Sequence, residues 1–166
     1  MATPGAREVA LELHSLSKSH NMAGWRIGFI AGSDEHLEAI MKVKSNMNTV
    51  SFLPLQMAAS RALQLPESWY SQLNANYRSK ATTAYQIMDT LECTYEDNTS
   101  GMFIWGRIPS HFKDAAELSD YLLYDAGVFM APGFIFGKNG EQYIRLSIAA
   151  SQEALYAALE KIQHLQ

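Results

Sequence analysis

Apolar and polar positions change their period several times along this chain. Residues 8–13 alternate, with Val9, Leu11 and Leu13 set against Glu8, Ala10 and Glu12, and predict a short strand. Trp25 to Ala31 is an apolar run bounded by glycines and predicts a second strand, with Ser15–Gly24 as a polar loop between the two. After Gly32 the period becomes helical. Asp34 is placed to cap a helix whose apolar face is Leu37, Ile40, Met41 and Met47. Asn46–Leu53 reads as an irregular connection. Pro54 suits the first turn of a second helix that carries Ala58, Ala59, Ala62 and Leu63.

Pro66 opens the longest periodic segment, in which Trp69, Leu73, Tyr77, Ala81, Ala84, Met88 and Leu91 recur at helical spacing. A continuous helix there would span roughly 35–40 Å, enough to bridge two structural units. From Thr94 the texture is mixed. Residues 102–108 predict a strand, and Asp114–Ala126 a helix with Leu118, Tyr121, Leu122 and Asp125 on successive turns. Val128–Ala131 and Tyr143–Ala149 predict two more strands. Ser151 is placed to cap a last helix along Leu155, Ala158, Leu159 and Ile162. The fold class is α/β, and the second part alone makes a compact α/β unit. The first part has only two strands, too few to be stable without partners, so the chain reads as starting inside a larger domain.

Composition narrows the function. The chain has 166 residues, of which 48% are hydrophobic and 18% charged, with a net charge of −4. That apolar content excludes a disordered chain. The acidic balance, with an isoelectric point near 5.7, argues against a nucleic-acid partner. The lone Cys93 excludes a disulfide framework and a cysteine-based zinc site, and points to a reducing compartment and a packing role for that thiol. The N-terminal residues lack the order of a signal peptide, and no apolar run approaches a membrane span. A cytoplasmic protein with no membrane partner is the expectation.

Candidate chemistry lies in the polar loop, Ser15-Leu16-Ser17-Lys18-Ser19-His20-Asn21-Met22-Ala23-Gly24-Trp25-Arg26-Ile27-Gly28. Lys18 follows an apolar strand among hydroxyls, and Arg26 falls within the next apolar run. A buried arginine needs an anionic partner, and no acid lies nearby in sequence. A phosphate would serve, held by the planar fork of Arg26 and by serine hydroxyls. A lysine beside such a site can act as a Schiff-base nucleophile. Lysine and phosphate site together suggest pyridoxal 5'-phosphate. Each residue also has a plainer reading. Lys18 alone would be a surface lysine, Ser15 a strand terminator, Ser17 a loop-shaping residue, and Arg26 the partner of a distant acid. Arg145 would be a snorkelling arginine. The five histidines show no metal-ligand spacing, and Ser19-His20 lacks a placed acid to orient the imidazole.

Every position from Ser15 to Gly28 resembles the pyridoxal-lysine signature of the fold-type I aminotransferases, class I/II: a serine, the lysine three residues on, and the arginine eight further on. Glu12–Lys18 is similar to the diaminopimelate and alanine aminotransferase branches. The likeness covers nearly the whole chain. It extends to Gly101-Met102-Phe103-Ile104-Trp105, to Gly127-Val128 with Pro132-Gly133 and Phe136-Gly137, and to Tyr143-Ile144-Arg145-Leu146-Ser147.

The resemblance implies that Lys18 carries the cofactor, that Ser15 and Arg26 hold its phosphate, and that Arg145 binds the substrate α-carboxylate. It implies a homodimer acting on an amino acid and a 2-oxo acid, with Asn46–Phe52 reaching a neighbouring subunit's site. Residues 1–65 would be the end of the large cofactor-binding domain, 66–93 a connecting helix, and 94–166 the small C-terminal α/β domain. Family members are more than twice this length, so the chain is expected to be a C-terminal piece, inactive alone. The groups that contact the cofactor ring would lie in the preceding part. The rival readings are a non-catalytic fragment that folds and dimerises, and a related pyridoxal-phosphate lyase or racemase.

Overall fold

Glycine 5, in the left-handed region at φ 76°, sends the chain into a single helical turn, α1 (Ala6–Val9). The computed structural model describes residues 1–47, 51–97 and 99–165. The chain divides into two compact units, Met1–Glu67 and Ser68–Gln166.

In the first unit, β1 (Glu12–Ser15) begins later than the alternation at 8–13 suggests, because α1 takes residues 6–9. The one-turn helix α2 (Leu16–Ser19) follows directly, then a 3-10 turn at Ala23–Trp25 and β2 (Gly28–Ala31). The predicted strand at 25–31 therefore loses its first three residues. β1 and β2 form an antiparallel pair in which Ser15 faces Gly28 and Glu12 faces Ala31.

α3 (Asp34–Met47) is capped by Ser33 rather than Asp34. The Ser33 carbonyl accepts from Leu37 N at 3.0 Å, and its hydroxyl from His36 N. Asp34 is the first helical residue, where its charge suits the helix dipole. Leu37 and Ile40 are half-buried, while Met41 and Met47 are exposed. α4 (Leu53–Ala62) starts with Pro54 in its first turn. Of the connection expected at 46–53, residues 48–50 lie outside the described residues. The small core here is Leu16, Met22 and Ala59, with Ile27, Ala58 and Ala62 against it.

The second unit opens with α5 (Glu67–Thr90), whose 24 residues run roughly 36 Å. Its end is a left-handed cap. Glu92 has φ 55°, and the amide of Cys93 reaches the Met88 carbonyl at 2.9 Å. The sheet contains β3 (Thr94–Tyr95), β4 (Phe103–Arg107), β5 (Ala131–Pro132) and β6 (Tyr143–Ser147), in the order β3-β4-β6-β5 and antiparallel throughout. β3 escapes the sequence reading because two residues carry no period. β5 is shorter than the expected 128–131 and shifted towards Pro132. α6 (Ala115–Ala126) and α7 (Gln152–Gln163) complete the unit.

The cap expected at Ser151 forms, and Asp114, read only as the start of its helix, caps α6. Asp114 accepts from the amides of Ala116 and Glu117, and Ser151 from that of Ala154. Ile87, Met88, Leu118, Leu122, Ile144 and Ile162 are buried at 2% exposure or less, so α5, α6 and α7 all contribute to one core against the sheet. The buried Ser119 hydroxyl donates to the Met130 carbonyl at 2.8 Å. At Gly106 of β4, an added Cβ would lie 2.7 Å from Met88 Sδ and 3.1 Å from Cys93 Cβ, so α5 sits directly on the backbone of β4. Among the described residues no helix is long and apolar enough to cross a membrane.

These two backbone features act in opposite directions. A left-handed non-glycine residue costs roughly 1–2 kcal/mol, and glycine's larger unfolded-state entropy returns about 0.4–1 kcal/mol. Glu92→Gly is therefore expected to stabilise the protein by about 0.5–1 kcal/mol in urea denaturation. Gly106→Ala should destabilise it by about 1–3 kcal/mol through overpacking. Equal midpoints for both variants and the wild type would contradict this account.

Candidate active site

Leu16 is the anchor of the signature loop. It is 2% exposed, and its carbonyl accepts the amides of both His20 and Met22, at 3.1 and 3.2 Å. Its own amide donates to Ile27 at 3.2 Å, one residue beyond the Ser15–Gly28 pair. The outward and returning backbones therefore meet at Leu16, and the ten residues between Leu16 and Ile27 form a closed excursion. A Cβ on Gly28 would lie 2.3 Å from the His14 carbonyl oxygen, so only glycine allows this approach.

On this frame Ser15 is the N-cap of α2, its hydroxyl oxygen accepting from Ser17 N at 3.2 Å. Lys18 stands on the exposed side of α2, opposite the buried Leu16. The single helical turn points it outward, among the hydroxyls of Ser15, Ser17 and Ser19 on the same short segment. Arg26 departs from expectation. It lies outside β2, is exposed, and has φ 50° and ψ 47°. The 3-10 turn at Ala23–Trp25 must reverse the chain before β2 begins, and Arg26 takes the left-handed residue of that reversal. Its guanidinium donates to the Ala23 carbonyl at 3.3 Å. No carboxylate among the described residues lies within ion-pair distance of Lys18 or Arg26.

This donor set fits a phosphate-bearing aldehyde cofactor. A hydroxyl at Ser15 and a guanidinium at Arg26, whose planar fork suits a phosphate, come from the two ends of one tight hairpin. The primary amine of Lys18 stands one helical turn from Ser15. The left-handed backbone of Arg26 is strained for a residue with a side chain, a kind of strain that concentrates at functional sites. Ser19 donates to the Ser15 carbonyl at 3.2 Å and lies 2.8 Å from His20 Nδ1, which commits its hydroxyl to the loop. Among the described residues no three His, Cys, Asp or Glu side chains are grouped as metal ligands.

Arg145 belongs to the second unit. It is central in the sheet, paired with Trp105 on β4 and Ala131 on β5. Strand alternation turns Ile144 and Leu146 into the core and leaves Tyr143, Arg145 and Ser147 on the other face, beside Phe103, Trp105 and Arg107. The Arg145 guanidinium carbon lies 4.2 Å from the ring centre of Phe103 and 4.0 Å from that of Phe136. No carboxylate among the described residues pairs with it. Phe136 ends a 3-10 turn, Gly133–Phe136, pressed against the strand. A Cβ on Gly133 would lie 2.5 Å from the Gly140 carbonyl oxygen and 2.7 Å from that of Tyr143. Trp105 meets Phe136 edge-on at 5.4 Å, and a cavity of about 650 Å³ lies beside Trp105, Phe136, Lys138 and Tyr143. The sequence offers no role for Phe103 or Phe136. They are 33 residues apart and 42 and 9 residues from Arg145, and no local period links the three.

Comparison with known proteins gives a consistent result. The family model described as "Aminotransferase class I and II" matches residues 4–162. LL-diaminopimelate aminotransferase of Natranaerobius thermophilus is 33% identical over 98% of this chain and 42% of its own length. The enzyme of the same name from Aquifex aeolicus is 34% identical over 100% and 43%. Among solved structures, substrate-bound BacF from Bacillus subtilis superposes with a TM-score of 0.86 at 33% identity, over 97% of this chain and 41% of that one. The probable N-succinyldiaminopimelate aminotransferase of Thermus thermophilus superposes with a TM-score of 0.84 at 31% identity, over 99% and 44%. The chain thus spans about 42% of the length of the first of these relatives, a partial fold-type I architecture. On the match over residues 4–162, this chain belongs to the class I and II aminotransferases.

Proposed function

We propose that this chain carries the cofactor-binding lysine and the carboxylate-binding arginine of a pyridoxal-phosphate-dependent aminotransferase, which moves an amino group between an amino acid and a 2-oxo acid. The observation that carries the reading is the hairpin that joins Ser15, Lys18 and Arg26 around Leu16. In this reading residues 1–65 belong to the large cofactor-binding domain, 66–93 to the connecting helix and 94–166 to the small domain. The homodimer, the cytoplasmic location and the reach of 46–52 to a neighbouring subunit belong to the same proposal. For that last segment, residues 48–50 lie outside the described residues.

The bound cofactor supplies an electron sink for charge developing at the substrate Cα. The protein's own groups do the rest. Ser15 and Arg26 would hold the cofactor phosphate, the first through its hydroxyl and the second through a guanidinium with a full positive charge. Lys18 holds the cofactor through Nζ. As a free amine, Nζ would be the base that accepts the substrate Cα proton. Arg145 accepts the α-carboxylate as a bidentate partner, which fixes the orientation of the Cα–H bond. The names of the relatives, LL-diaminopimelate and N-succinyldiaminopimelate aminotransferases, support an amino acid as the substrate in this reading.

Three measurements test these assignments. Incubation with pyridoxal 5'-phosphate and borohydride reduction should leave a pyridoxyl group on the peptide containing Lys18, and mass spectrometry should show it lost in Lys18→Ala. Label confined to Lys42, Lys44 or Lys80 would remove the central claim. Arg26→Gly should be as stable as the wild type or about 0.5–1 kcal/mol more stable, because it relieves the left-handed strain. It should nonetheless bind the cofactor more weakly; unchanged cofactor affinity would free Arg26 of its phosphate role. Arg145→Ala should weaken carboxylate binding by about 2–4 kcal/mol while leaving the Lys18 label intact. Unaltered carboxylate binding would assign that role to another group.

A further inference from the structure

We infer that Phe103 and Phe136 are positioning residues, whose rings hold the Arg145 guanidinium in the orientation that receives a planar carboxylate. The inference rests on the carboxylate-binding reading of Arg145 and adds the groups that make that arginine selective.

An arginine side chain has four rotatable bonds and in solution samples many directions. Here two ring centres lie 4.0 and 4.2 Å from the guanidinium carbon, in cation–π contact, so the two rings restrict the motion of the guanidinium. The five N–H donors radiate in the guanidinium plane, and the ring carbons accept none of them as a carboxylate would. The rings also replace water above the cation without offering an acceptor that would compete for its donors. The result is a cation whose charge is unpaired among the described residues and whose fork is pre-oriented. Pre-orientation lowers the entropy lost when a bidentate partner binds.

The two rings are held by different means. Phe103 is fixed by its place on β4, where it faces Ser147 across the ladder. Phe136 is fixed by the tight Gly133–Gly140 contact, where a Cβ on Gly140 would lie 2.1 Å from the Gly133 carbonyl oxygen, and by its edge-on contact with Trp105. Both rings remain partly exposed, at 36% and 48%. Burial of the rings themselves therefore explains little of their placement.

The test follows the Arg145 Nε–H resonance of the 166-residue chain by NMR during titration with 2-oxoglutarate. In the wild type this resonance should show the upfield ring-current displacement of a flanked guanidinium and should shift on titration. Phe136→Leu keeps an apolar side chain of similar size but removes the π face. It should reduce that displacement and weaken the dicarboxylate about fivefold, whereas Phe136→Tyr should restore both. Phe103→Leu should act in the same direction. A merely structural role would be satisfied by leucine, and backbone amide spectra of each variant will show whether the core is intact. Leucine variants that bind like the wild type, while Arg145→Gln loses binding, overturn the inference and leave the carboxylate role standing. A wild type and Arg145→Gln that respond alike, or a wild type that does not respond, overturn the carboxylate role and this inference together.

Discussion

The close approach of β1 and β2 at Gly28 is the constraint on which the signature loop depends. With no Cβ at position 28, the returning strand can lie against the His14 carbonyl. That contact keeps Ser15 opposite Gly28 and lets the Leu16 amide reach Ile27. A larger residue would push the strands apart, and the separation would appear where the loop closes. The buried Leu16 would lose its seat, and Ser15 and Arg26 at the two ends of the hairpin would be drawn apart. Steric exclusion at a single backbone position is thus converted into placement of a cation eleven residues after Ser15.

The second unit solves a different problem by the same economy of means. Its sheet has one face committed to the core through Ile104, Ile144 and Leu146, and one face carrying aromatic and cationic side chains. Strand alternation alone produces this division. The buried face needs volume and shape, so it uses branched aliphatic residues backed by α5, α6 and α7. The other face needs direction, so it uses side chains with planar ends: Phe103, Trp105, Tyr143 and Arg145. The rigidity of the first face fixes where the second face points.

Legibility in the sequence followed the length of the physical signal. The period through Trp69, Tyr77, Ala84 and Met88 is sustained over many turns, and α5 appears as read. The cap at Ser151 is a local hydrogen bond between near neighbours and forms as read, whereas at α3 the neighbouring Ser33 takes the cap in place of Asp34. The first strand was displaced because alternation at 8–13 is shared with a helical turn and nothing in it reveals the left-handed Gly5. Arg26 read as buried because residue identity carries no record of φ; its neighbours are apolar, but the turn at Ala23–Trp25 takes it out of the ladder. Lys18, Ser15 and Arg26 were visible as a spacing, since all three come from one continuous loop. The rings around Arg145 were not, since contacts made across strands and turns leave no mark on adjacent residues.

Cys93 closes the left-handed end of α5 with its amide and fills the space beside Gly106 with its side chain. Burial pushes its thiol up to about 11. At neutral pH only about one molecule in ten thousand then holds the reactive thiolate, and that fraction is enclosed at 6% exposure. The chain's single sulfhydryl is therefore chemically silent in the folded state. A cysteine introduced on an exposed position would be the only one to take a maleimide dye or spin label. The native thiol can stay in place, so distances and motions could be followed by spectroscopy in a protein whose helix cap is undisturbed.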